Sequence, residues 1–244
     1  MIVESGDVRG FNLTPKTGRI SNLTVSHCEV LNGCDAAMYL TRADNALIEY
    51  CSFHGQDSKN PAQFHTNVIY CGVITNCTFR YNRLYDIQVE GLFFNDPDNK
   101  NIRIYRNLFY QGSVPKNSGR ALQFTGRGNA NILVYNKTFV DLPIGIQLGS
   151  PGSYTACEFK NNIVFSCNLG LSWVSDYNLF SGPTSEHHSI GNAPNPFRNS
   201  ASFDYRLKPG SPAIDRGLAL GPPCDVDPDG NVRTLSRAGA IGAY

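Results

Sequence analysis

The sequence lacks a dominant charge: 21 Lys and Arg stand against 20 Asp and Glu, a formal balance of +1. No bulk field recruits nucleic acid or an anionic membrane, so any attraction for an acidic partner must be local. No stretch reaches the roughly 18 to 20 consecutive apolar residues of a membrane-spanning helix. The opening MIVESGDVRG also lacks a charged-then-apolar leader pattern. Because these first residues already read like the middle of a repeat, the chain is expected to be the mature part of an exported protein or part of a longer one. No CxxC pair occurs, which argues against a zinc ribbon. Nor do the eight cysteines make a stapled mini-domain, since 41% of this long chain is hydrophobic and a sizeable core is available. Helix-period patterning is scarce as well.

What is present is a repeat. LTVSHCEV from Leu23, ALIEYCSF from Ala46, GVITNCTF from Gly72, IRIYRNLF from Ile102, ILVYNKTF from Ile132 and CEFKNNIV from Cys157 superimpose without gaps. Third positions (Val25, Ile48, Ile74, Ile104, Val134, Phe159) and last positions (Val30, Phe53, Phe79, Phe109, Phe139, Val164) are all apolar. The sixth holds Cys28, Cys51, Cys77, Asn107, Lys137 and Asn162, a small or amide residue at a bend between two short strands. The period, roughly 20 to 30 residues, suits one coil of a solenoid. Like side chains then lie about 4.8 Å apart, so asparagines bond along a ladder and apolar rows fill the interior. The cysteines are expected to be buried thiols. Lys137 breaks the rule, and either Asn136 takes the inward role there or the ammonium snorkels out.

A further strand per coil is read in MYLTR from Met38, AQFHT from Ala62, IQVEG from Ile87, LQFTG from Leu122, IQLGS from Ile146 and LSWVS from Leu171. Its alternate positions place Gln63, Gln88, Gln123 and Gln147 in one outward row, with His65 and Glu90 in the next. Four glutamines in line form either an external amide ladder that satisfies itself or a flat hydrogen-bonding surface for sugar hydroxyls. The fold expected is all-β: a single-stranded right-handed parallel β-helix over 1–180, with a non-repetitive, Pro- and Gly-rich capping segment over 181–244. No capping helix precedes the first coil, so oligomerisation through that uncapped N-terminal coil is an open expectation.

The repeats, with their NxF and NNIV endings, resemble the pectate-lyase-like right-handed parallel β-helix proteins over roughly residues 20 to 180. FDYRLKPGSPAIDRG from Phe203, DVDPDGNVR from Asp225 and the final AIGAY resemble the tail that follows the repeats in bacterial members. This resemblance implies a carbohydrate-active protein in an extracellular or periplasmic setting, lyase-like toward an acidic polysaccharide, or else a non-catalytic carbohydrate-binding or surface-structural module. A lyase needs a base for the proton beside the carboxylate and a positive group to neutralise that carboxylate. The catalytic candidates are Lys116, Arg120, His65 and Glu90; the substrate-binding candidates are Arg80, Arg83, Gln63, Gln88, Gln123 and Arg127. In the chondroitinase B and alginate lyase branch an arginine stands on the outward strand face of a GxLxLR pattern; GRALQFTGR puts Thr125 there, with Arg127 two residues on. Clustered aspartates of the polygalacturonase kind are not found: Asp96 and Asp98 in NDPDN read as a polar turn. Asp225, Asp227, Asp229 and Gly230 begin like a calcium loop but have Ser236 at the position of the bidentate acid, so calcium is only a candidate cofactor and no metal ligand is assigned.

Overall fold

The computed structural model describes residues 2–4, 9–31, 36–54, 67–112, 119–149, 154–221, 224 and 239–244. Short strands stack into three parallel sheets, which every coil visits in the same order. The first sheet has seven strands: Arg9–Leu13, Ala36–Thr41, Asn67–Gly72, Glu90–Phe94, Arg120–Phe124, Ile144–Leu148 and Asn168–Gly170. The second, also of seven, runs from Thr24–Ser26 to Val174–Asp176, and the third, of eight, from Ile2–Glu4 to Leu179–Phe180. The chain is thus an all-β, right-handed parallel β-helix.

Two corners make the coil possible. Between the first and second sheets Asn22, Asn45, Asn76, Asn101 and Asn131 all take φ between 52° and 57°. Asparagine tolerates that left-handed backbone better than most residues, and these amides bond to one another outside, as in Asn45 Nδ2 to Asn22 Oδ1 at 2.6 Å and Asn101 Nδ2 to Asn76 Oδ1 at 2.9 Å. Between the second and third sheets the left-handed residue is followed by one that turns inward, and these inward residues form the ladder. Cys51 N donates to Asn82 Oδ1, Asn82 N to Asn107 Oδ1, Lys137 N to Asn162 Oδ1 and Asn162 N to Asn178 Oδ1, at 2.8 to 2.9 Å. The amides also cap strand carbonyls, so buried backbone that turns a corner keeps its partners.

Cys77 is not in that ladder. Thr78 pairs with Leu47 and Arg103, so the segment in register is CTFRYNRL from Cys77, and Asn82 fills the slot. The segment GVITNCTF therefore stands one corner out of register: Asn76–Cys77 looks like His27–Cys28 and Tyr50–Cys51, but it belongs to the outer asparagine corner. Cys77 instead shares the Ala46 and Ile102 row; it and Cys51 are buried with their thiols pushed up to about 11 by desolvation, as inert core groups should be. The described cysteines are all free.

Lys137 takes the inward slot itself, fully buried, with Nζ 5.5 Å from the centre of the Phe109 ring and without a hydrogen-bond partner among the described residues. Burial holds this amine well below its ordinary pKa. Asn136 stays at the corner and donates to the Ala240 carbonyl. Around the ladder, phenylalanines stack coil on coil, Phe94 on Phe124 at 4.4 Å and Phe109 on Phe139 at 5.4 Å. Each such ring removes about 1.5–3 kcal/mol worth of apolar surface from water.

The C-terminal residues lie along the flank. Ala193, Phe197, Tyr205, Ala213 and Ile241 pack on Leu108, Tyr110, Val140 and Ile163 of the third sheet, a cluster separate from the interior.

Candidate functional site

The first sheet carries an irregularity, repeated in several coils, that decides what its outer face presents. Val68 and Ile69, like Ala37 and Met38 or Ala121 and Leu122, are successive residues that both join the core. Period-2 alternation is broken there. Residues before the inward pair form one row, and residues after it form another.

The row after the pair reads Asn12, Tyr39, Tyr70, Phe93, Gln123 and Gln147 through the strand register. Tyr39 and Tyr70 stack at 4.8 Å. Phe93 turns 84° from Tyr70, so its ring lies across the row rather than along it. A polar frame fixes the middle: Thr125 Oγ1 donates to Asn95 Oδ1 at 2.8 Å, Asn95 Nδ2 donates to the Tyr70 hydroxyl at 3.2 Å, and that hydroxyl donates to Asp96 at 3.4 Å. Burial raises the Tyr70 pKa, so the phenol stays a donor. No hydrogen bond joins Gln123 to Gln147 among the described residues, and the Oε1 atoms of both have no partner. Both oxygens are themselves buried, while each glutamine as a whole is half-buried.

The row before the pair contains Asn67, Glu90 and Arg120 in register. Arg120 Nη1 lies 3.4 Å from Glu90 Oε1, with the arginine side chain 26% exposed and the glutamate beneath it at 7%. A carboxylate and a guanidinium thus stand beside the aromatic and amide row.

Of the residues singled out in the sequence, Glu90, Arg120 and Gln123 come together on this sheet. Gln88 does not join the row: it lies in the turn before Glu90–Phe94, and Phe93 occupies the position assigned to it. Nor does Glu90 share a row with Thr125, which stands opposite Asn95. Gln63 and His65, with the AQFHT segment, and Lys116 lie outside the described residues; the strand paired in that coil is Asn67–Gly72. Arg127 is exposed in the turn after Arg120–Phe124. Arg80 is carried to the second sheet, where it pairs with Glu49 at 2.6 Å and donates to Tyr105, and Arg83 to the third, where it donates to the Tyr244 hydroxyl at 3.1 Å. The sequence places Tyr39 in the outward row with Gln123 and Gln147, as the register has it, but not Tyr70 and Phe93; the signal for those is an aromatic following an apolar residue in successive coils.

Among the described residues no group of three His, Cys, Asp or Glu is placed to hold a metal ion, and no helix is long and apolar enough to cross a membrane. The calcium-like run at Asp225–Asp229 lies outside them. No curated protein matches the chain significantly. A family model described as the right handed beta helix region matches residues 9–195. With that match and the three stacked parallel sheets, the chain belongs to the right-handed β-helix family.

Proposed function

We propose that this protein binds an acidic polysaccharide along the outer face of the first sheet, with the sugar chain parallel to the solenoid axis. The observation that carries this reading is the in-register row from Tyr39 to Gln147, where aromatic rings give way to two half-buried amides. Aromatic surfaces and planar amides are the groups that sugar rings and hydroxyls engage. Five coils, separated by four steps of about 4.8 Å, make a track of about 19 Å. Arg120 beside it supplies the positive charge a uronate carboxylate needs. An extracellular or periplasmic setting accords with such a ligand.

A second reading, polysaccharide lyase action, is favoured by the Glu90–Arg120 pair. In that reaction a base removes the proton on the carbon beside the carboxylate, the carbon–oxygen bond to the next sugar breaks, and its electron pair leaves on the glycosidic oxygen, which is then protonated. Arg120 would stabilise the charge that builds on the carboxylate, and Glu90 would take the proton. One experiment covers both readings: alginate, pectate and glycosaminoglycans are tested for retardation of the protein in affinity gels and for ultraviolet absorbance of unsaturated uronate products. Retardation by an acidic polymer, weakened in Tyr70→Ala and Gln123→Ala, is the expected result. Retardation by none of them, or retardation unaltered in both variants, would overturn the binding reading. Product whose rate falls about a hundredfold or more in Glu90→Gln would add the lyase; binding without product would remove it.

A further inference from the structure

The coil that carries Glu90–Phe94 and the next, with Arg120–Phe124, differ in charge where they border the outward row. In the turn after Glu90–Phe94, Asp96 lies half-buried with its carboxylate over Gly72 of the preceding coil. Any Cβ at Gly72 would collide with Asp96 Oδ2, so glycine is what leaves room for this carboxylate. The Tyr70 hydroxyl donates to the same oxygen at 3.4 Å, and no cation is paired with Asp96 among the described residues. Glu90 shares its charge with Arg120, and Asp98 pairs with Lys100 at 3.3 Å. One coil further on the sign reverses. Arg127 is exposed in the turn after Arg120–Phe124, and no acidic group is paired with it among the described residues.

Resting on the reading of this face as a sugar track, we infer that Asp96 is a specificity-determining residue: it keeps a uronate off the Phe93 position and accepts a hydroxyl of an uncharged sugar there. The preferred ligand is then a polymer in which uronates alternate with uncharged sugars, rather than a run of uronates. Phe93 is the ring turned out of the aromatic stack, 84° from Tyr70, and a ring so turned offers a face to a sugar. Asp96 borders that position through Tyr70, whose hydroxyl it holds. A uronate on Phe93 would set carboxylate against carboxylate, at a place where the Tyr70 hydroxyl is already given to Asp96 and Arg120 is already shared with Glu90. An uncharged sugar brings hydroxyls instead, and these donate to a carboxylate in the stronger, charge-assisted kind of hydrogen bond. The seat for a uronate lies one coil on, where Arg120 and Arg127 stand at either end of the strand that carries Gln123. Coils repeat at about 4.8 Å, close to the advance of one sugar along an extended chain. Opposite preferences on successive coils therefore select alternation.

The test is calorimetric titration of two ligands of equal length, pectate oligomers and unsulfated hyaluronan oligomers, into wild type, Asp96→Asn and Asp98→Asn. Asp98 carries the same charge further along the turn, where Lys100 already pairs with it, so its variant controls for net charge. In Asp96→Asn the affinity for pectate should rise about fivefold and that for hyaluronan fall about fivefold. Asp98→Asn should shift neither by more than about twofold. Salt at about 1 M should remove most of the pectate gain. If Asp96→Asn lowers the unfolding midpoint, Asp96→Ala carries the comparison, since it removes the charge without crowding Gly72. Three results would overturn the role of Asp96 while leaving the track: affinities unaltered in the Asp96 variants, a shift of the same sign for both ligands, or an equal shift in Asp98→Asn. Binding of neither ligand to wild type would remove the track itself, and the role of Asp96 with it.

Discussion

The outward residues at the corner between the second and third sheets, from His27 to Asn161, fall into two halves that share a backbone conformation and differ in their side-chain contacts. In both, a left-handed residue points out between the second and third sheets. Where that residue is Arg106, Asn136 or Asn161 it reaches a carbonyl of the C-terminal residues that cross the flank, a strap, and is buried; where it is His27 or Tyr50 it stacks on its neighbours and is exposed. The solenoid therefore sets only the spacing, and the chemistry at one position per coil decides whether that position anchors the C-terminal residues or stacks on its neighbours.

Breaking the closed half should have the largest effect. Arg106→Ala removes donors to Ala243 and Cys224 and leaves a buried void, and a loss of about 3 kcal/mol in urea unfolding is expected, with residues 239–244 newly accessible to proteolysis. A loss within about 0.5 kcal/mol would mean that the strap is not held from this corner.

Lys137 lies just inside the same half. Lys137→Met keeps the volume and removes an unpartnered buried amine, so a gain of about 1–3 kcal/mol is expected. The sign with pH follows from its lowered folded-state pKa. Below about pH 10.4 the unfolded chain carries a proton here that the folded chain does not. The cost of burying the amine is absent above that pH, grows as pH falls, and levels off below the folded-state pKa. Stability in wild type should thus climb toward alkaline pH more steeply than in Lys137→Met, and identical slopes in denaturation from neutral to alkaline pH would contradict the buried neutral amine.

The smallest effect sharpens the contrast between inner and outer amides. Asn131 bonds to Asn101 in the exposed corner ladder, where water replaces a lost partner, so Asn131→Ala should cost no more than about 0.5 kcal/mol. Asn162, which caps Val134 and accepts from Lys137 inside, should cost about 2 kcal/mol when changed to Ala. Equal losses would remove the distinction.

The solenoid was legible because its core rows recur at one position per coil, and five of the six aligned rungs stand in the register read from the sequence. The rung at Gly72 was not, because both corners use a left-handed residue and Asn76–Cys77 in one imitates Tyr50–Cys51 in the other. The face was half legible. Gln123 and Gln147 follow strict alternation from Leu122 and Ile146, but the double inward step at Val68–Ile69 and Gly91–Leu92 shifts the outward position, so alternation from Ile87 selected Gln88 over Phe93. The strap was invisible, since contacts such as Arg106 to Ala243 cross most of the chain and leave no periodic trace.

The central claim is that the row from Tyr39 to Gln147 is one continuous track for a polysaccharide. Uronate oligosaccharides of increasing length, titrated by calorimetry into wild type, Phe93→Ala and Gln123→Ala, test it most directly. Affinity is expected to rise with length until about 19 Å is spanned and then level off, and to fall about tenfold in either variant. Affinity independent of length, or unaltered in both variants, would contradict it.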